Sequence, residues 1–260
     1  MKIFFPYWPY ASVCLYNENR DTVKPVLFKE HAGNRKDRTV IKSTIRKSEY
    51  QEIYRLLDSV SPLSRDCGEL CGAVCCGTDD DTWTGRPEFS SSEDHSAPDP
   101  ENDREIGIAA EETPEMGIYL LPGEEKLHRK KGGWLTWSEE RAEDYAFPDS
   151  WKGTVYFVRC KTPPHCPREK RPIQCRTFPL APHFMEDDRL VMILNDLELP
   201  YRCPLIADKM TLNPDFLKTT HHCWERLVKD PLIHDLVRMD SDERSVSGSR
   251  IVTVYDPASS

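Results

Sequence analysis

The chain has 260 residues, of which 38% are apolar and 30% charged, with 21 prolines; that is enough for one sizeable domain or two small ones plus loosely packed chain. A net charge of −9 and a pI near 5.5 do not suit a surface that must neutralise phosphates, so nucleic acid is not an expected partner. No apolar run approaches the ~18 residues that a membrane-spanning helix requires, so no membrane partner is expected.

Residues 1–47 read as an extension without fixed structure. Met1–Tyr16 is aromatic and interrupted by Pro6 and Pro9, and no small-residue cleavage site precedes Asn17, so it does not read as a secretion signal. Asn17–Lys47 is basic and polar without a sustained period. The domain is expected to begin at residue 48. Tyr50, Ile53, Tyr54, Leu57 and Val60 lie on one face of a helix that Ser48 would cap and Ser61-Pro62 would end. Residues 78–114 are acidic and poor in apolar side chains, and read as a disordered insert. A short strand is expected over Gly117–Leu121, closed by a Pro122-Gly123 turn, and Gly132-Gly133 marks another turn. Thr154–Arg159 and Leu190–Leu194 read as strands. Asn213-Pro214 and Asp230-Pro231 each open a helix with a capping side chain followed by proline at the first helical position. Residues 241–260 read as a flexible tail. The expected fold is α+β: a small, loop-rich, metal-organised domain over residues 48–240, with short strands and C-terminal helices.

Eight of the ten cysteines fall into two groups: Cys67, Cys71, Cys75 and Cys76, then Cys160, Cys166 and Cys175 with Cys203 further on. Thiolate is a soft donor suited to zinc, copper(I) and iron–sulfur clusters, and Gly68, Gly72 and Gly77 give the first group the backbone freedom to converge. Two other readings compete. Cysteines can pack as small buried hydrophobes, which suits Cys14 and Cys223 but hardly four cysteines within ten residues. Disulfides are the second, but adjacent Cys75 and Cys76 cannot comfortably bridge each other and no secretion signal is recognised. The spacing matches neither a ferredoxin run nor a zinc ribbon, and Val74 stands where a radical-enzyme motif would need its third cysteine. Arg159, Lys161, Arg168, Lys170, Arg171 and Arg176 surround the second group. They could favour thiolates and offset their charge, or form an anion-binding face. His165 and His183 are further ligand candidates, while His221-His222-Cys223 reads as a helix face. Glycine-rich phosphate loop, GxSxG and HExxH motifs are all missing from the sequence.

The paired-cysteine cluster, the later Cys-x5-Cys-x8-Cys spacing and the phrase Arg171-Pro172-Ile173-Gln174-Cys175-Arg176-Thr177-Phe178-Pro179 resemble the YkgJ-type cysteine-cluster family, described as a zinc- or iron-chelating domain. The resemblance covers about residues 49–240. It departs from the family pattern at Cys67-x3-Cys71, where Cys-x2-Cys is expected. It implies eight ligands, Cys67, Cys71, Cys75, Cys76, Cys160, Cys166, Cys175 and Cys203, and zinc or iron, including an iron–sulfur cluster, as cofactor. It implies no defined reaction. The expected function is therefore a cytoplasmic metal-binding protein. An iron–sulfur electron-transfer or accessory protein, and a metal-stabilised interaction or RNA-associated module, stand as alternatives, with a protein partner compatible with each.

Overall fold

The computed structural model describes residues 41–73, 75, 117–161, 168–195, 202–248 and 250–259. Most of the N-terminal extension, the whole 78–114 insert, and Cys14, Cys76, His165 and Cys166 lie outside the described residues.

The fold is α+β, with two three-stranded antiparallel sheets and helices between and beside them. Helix α1 (Lys47–Asp58) buries Tyr50, Ile53 and Leu57, the stripe that its 3.6-residue periodicity demands. It starts one residue before Ser48, and no side chain caps it. Its entry is held from afar instead. Asp230 Oδ2 accepts from the Ser43 hydroxyl at 2.9 Å, the Thr44 amide at 2.6 Å and the Thr44 hydroxyl at 2.7 Å. Ile41 and Ile45 are buried in the same core, so the folded part reaches back to residue 41, not 48. Two isoleucines in a polar segment carry no periodic signal; the distant aspartate and the core they enter hold them in place.

In the first sheet β1 (Ile118–Tyr119) and β2 (Leu135–Arg141) flank a central β3 (Thr154–Cys160). Beyond β1, Leu120 still donates to the Tyr156 carbonyl, and Gly123 then turns the chain at φ +92°. In the second sheet the order is β4 (Leu180–Phe184), β5 (Leu190–Leu194), β6 (Thr253–Tyr255). β4 is an edge strand and so tolerates Pro182. β6 lies inside the stretch expected to be a flexible tail. It pairs with β5, and the Asp256 carboxylate beyond it meets Arg189. A three-residue strand is stable only on a preformed edge, so its own sequence is a poor signal.

The single turn α2 (Gly68–Cys71) precedes the first sheet, α3 (Ile173–Thr177) lies between β3 and β4, and α4 (Pro204–Ala207) with the longer α5 (Pro214–Leu227) and α6 (Pro231–Val246) separates β5 from β6. Asn213 and Asp230 cap α5 and α6 by accepting from Asp215 and from Leu232 and Ile233. One connected apolar core joins α1, α3, α5 and α6 to one face of each sheet. It is a more extensive core than a loop-rich domain implies. A smaller cluster, centred on Ile118, Leu120, Leu135, Tyr156 and Val158, covers the other face of the first sheet. Among the described residues no helix is long and apolar enough to cross a membrane.

Candidate metal centre

After α1 the chain is tethered at two carbonyls: Arg168 donates to Val60 at 2.6 Å and the Asn213 amide to Pro62 at 2.9 Å. Asp66 then shapes the cysteine segment. Its Oδ1 accepts from the Gly68 amide at 3.1 Å, a local turn that starts α2 directly after Cys67. α2 lasts four residues because Gly72 at φ +63° and Ala73 at φ +54° are both left-handed, and the Ala73 amide closes back on the Gly68 carbonyl. Two consecutive residues in that region reverse the chain within a few ångströms, and the second carries a Cβ that disfavours it. The reversal brings Cys75 back beside Cys67 and Cys71.

The fourth thiol comes from far along the chain. Cys203 precedes α4, where its carbonyl accepts from the amides of Ile206 and Ala207 and Pro204 takes the first helical position. Cys67, Cys71, Cys75 and Cys203 line one small cleft that opens to solvent. Among the described residues its other walls are apolar, chiefly Leu70, Ala73, Phe178 and Leu205, and the one permanently charged side chain among them is Arg171. Burial, and then the neighbouring Cys75, push the Cys67 thiol up to about 11, against the pull of Arg171. Burial likewise raises the Cys203 thiol. Cys67, Cys71 and Cys203 are free thiols, and without a cation the buried Cys67 and Cys203 stay protonated at neutral pH.

The donor set suits a thiophilic ion such as zinc or iron. The side chains are not closed around one: among the described residues no three His, Cys, Asp or Glu side chains converge enough to hold an ion. Closure to a coordination radius of about 2.3 Å would require the sulfurs to move inward.

Of the eight sequence-derived ligands, four share this cleft. Cys160, at the end of β3, and Cys175, in α3, instead lie against the smaller apolar cluster with Trp134 and Trp137. They do not line the cleft. Cys76 and Cys166 lie outside the described residues. Cys203, grouped by sequence with the later cysteines, thus joins the earlier ones. His183 is buried in β4 and is not among the residues lining the cleft. On α5, His221 meets the Leu190 carbonyl at 2.9 Å, and burial pushes the inert Cys223 thiol up to about 12.

The basic stretch around Cys175 turns inward. Arg176, fully buried, donates to the carbonyls of Arg171 (2.6 Å) and Glu169, pairs with Asp58, and stacks over the Tyr54 ring at 4.3 Å. Arg171 faces both oxygens of Asp66, the closest pair at 3.1 Å. A further support went unnoticed in the sequence. Glu124, buried after the Pro122-Gly123 turn, accepts from the Tyr54 hydroxyl, from the Ile173 amide at 2.7 Å and from the Leu121 amide at 3.0 Å. Burial alone would raise its pKa. The His128 ring 4.0 Å away and hydrogen bonds from Tyr54 and Ile173 outweigh that and hold the carboxyl below its ordinary value. A lone Glu in a Gly-Glu-Glu turn gives no sign of this, and nothing local in the sequence ties Asp66 to Arg171, 105 residues on.

Against known protein families, curated proteins and solved structures the chain finds no match.

Proposed function

We propose that this is a metal-binding cysteine-cluster protein whose first site is formed by Cys67, Cys71, Cys75 and Cys203, with zinc or iron as the ion and the cytoplasm as its compartment. The observation that carries the reading is the meeting of these four cysteine side chains in one cleft, from segments more than 120 residues apart. Tetrathiolate sites hold such ions tightly, and the ligands must be deprotonated, so binding displaces protons and adds its free energy to folding. Here the consequence would fall on α2, which buries none of its own side chains and would be tied to α4 through the ion. Free thiols suit a reducing compartment. Any role for Cys76, or for Cys160, Cys166 and Cys175 as a second site, belongs to the same proposal. No reaction is assigned.

Anaerobic purification followed by metal analysis and a visible spectrum tests it. The expected result is stoichiometric bound metal that Cys67→Ser and Cys203→Ser both lose and Cys223→Ser keeps. A colourless protein with zinc identifies a structural ion; sulfur-to-iron charge-transfer colour identifies iron. A metal-free protein, or one whose metal survives both ligand substitutions, overturns the proposal.

A further inference from the structure

We infer that Arg171 is the counter-cation of the four-cysteine cleft, and that its ion pair with Asp66 throttles how strongly the cleft holds a divalent thiophilic ion. The inference rests on the metal-binding reading above.

A divalent ion with four thiolates leaves a complex of net negative charge. The apolar walls of the cleft offer nothing to offset it. Among the described residues that line it, Arg171 is the exception; Arg168, tied to the Val60 carbonyl, stands behind it. Its side chain is only 9% exposed, too dry for solvent to screen it well. The guanidinium stands over the first turn of α2, with Nη2 3.8 Å from where a Cβ on Gly68 would lie. Its backbone is fixed by Arg176 through the Arg171 carbonyl. The charge is therefore placed in advance and not recruited from solvent. Asp66 competes for it: the carboxylate is 31% exposed and lies 3.1 Å from Nη2, beside the first ligand in the chain. Arg171 thus faces a carboxylate on one side and the thiols on the other. Weakening the carboxylate's hold releases positive charge towards the sulfurs.

The test uses the full chain and measures Zn(II) and Co(II) affinity by competition with a chromophoric chelator. Co(II) also reports thiolate coordination through its charge-transfer absorption. Groups of this kind around a metal site change affinity by roughly 10- to 100-fold when removed. Arg171→Gln is expected to weaken binding about tenfold or more at unchanged stoichiometry, Arg171→Lys to stay within a few-fold of the parent, and Asp66→Asn to tighten it. Arg171→Lys keeps charge without the forked pairing, so it separates electrostatics from scaffolding even if Arg171→Gln folds poorly. Parental affinity in Arg171→Gln, or equal weakening in Asp66→Asn and Arg171→Lys, overturns the inference while leaving the metal site standing. A parent chain that binds neither ion overturns the reading beneath it.

Discussion

Arg176 donates from Nε to the carbonyl oxygen of Arg171 at 2.6 Å, so the fully buried arginine of the Arg-Pro phrase aims the one that reaches the cysteine cleft. The same guanidinium serves Glu169, Tyr54 and Asp58, and no smaller cation can reach all of them. Arg176→Met is expected to strand several carbonyls at ~1–3 kcal/mol each if they stay dry, for a total loss of about 3 kcal/mol or more. Arg176→Lys should recover little of it, because one ammonium cannot copy the fork. Urea unfolding of the two variants checks this; a loss below ~1 kcal/mol would contradict the hub role.

Acid should destabilise the fold in two windows. His183 is 2% exposed, and burial, then Arg244 and Arg238, push its pKa down to about 4 despite the opposing pull of Asp242. Between that value and the ordinary ~6.5, the unfolded chain binds a proton that the native state refuses, so stability falls as pH drops through this range, by up to ~3 kcal/mol. Glu124 acts lower. Its folded pKa is depressed, so its contribution is present above the unfolded value of ~4.3 and disappears as pH falls through the folded one. His183→Gln should flatten the first window and leave the second. Unfolding free energy measured from pH 7 to pH 3 resolves the two.

Gly72 has φ +63° and open space where a Cβ would go. Gly72→Ala should therefore cost about 1 kcal/mol through backbone conformation alone. Ala73→Gly, at φ +54°, should be neutral or slightly stabilising, since it relieves the same penalty while loosening the unfolded chain. Thermal melts of both variants, with metal content measured alongside, test whether the reversal is merely tolerated or has to be glycine.

Removing residues 250–260 would strip β6 from β5 and leave the Leu190–Leu194 edge unpaired. A bare apolar edge strand templates association. The truncated chain is expected to unfold at lower denaturant and to elute partly as oligomers in size-exclusion chromatography, whereas Arg189→Gln, which removes the ion pairs with Asp256 and Asp187 but leaves β6 in place, should remain monodisperse.

The parts of this fold legible in the sequence are those whose signal is local. Asn213-Pro214 and Asp230-Pro231 carry their own start instructions, and β3 and β5 are dense in β-branched and aliphatic residues. β2 is not legible because Glu139, Glu140 and Arg141 swamp the alternation of Leu135 and Trp137 on an edge with a solvated face. β6 and the segment from Ile41 depend on partners far along the chain. The site divides the same way. That Cys67, Cys71 and Cys75 belong together follows from their spacing; that Cys203 joins them and Cys175 does not is decided by packing, which no spacing encodes. Arg168 and Arg176 read as compensating thiolate charge or forming an anion-binding face, yet their partners are protein carbonyls and Asp58.

Asp230 caps α6 and at the same time grips Ser43 and Thr44, so the doorway to the first helix is latched by a residue that leaves the ribosome long after it. During synthesis the opening of the domain has nothing to fasten to until most of the chain has emerged. Helix α1 can form early, but its seating is a late event, and a nascent chain stalled before α6 would carry an unlatched front end with Ile41 and Ile45 facing water.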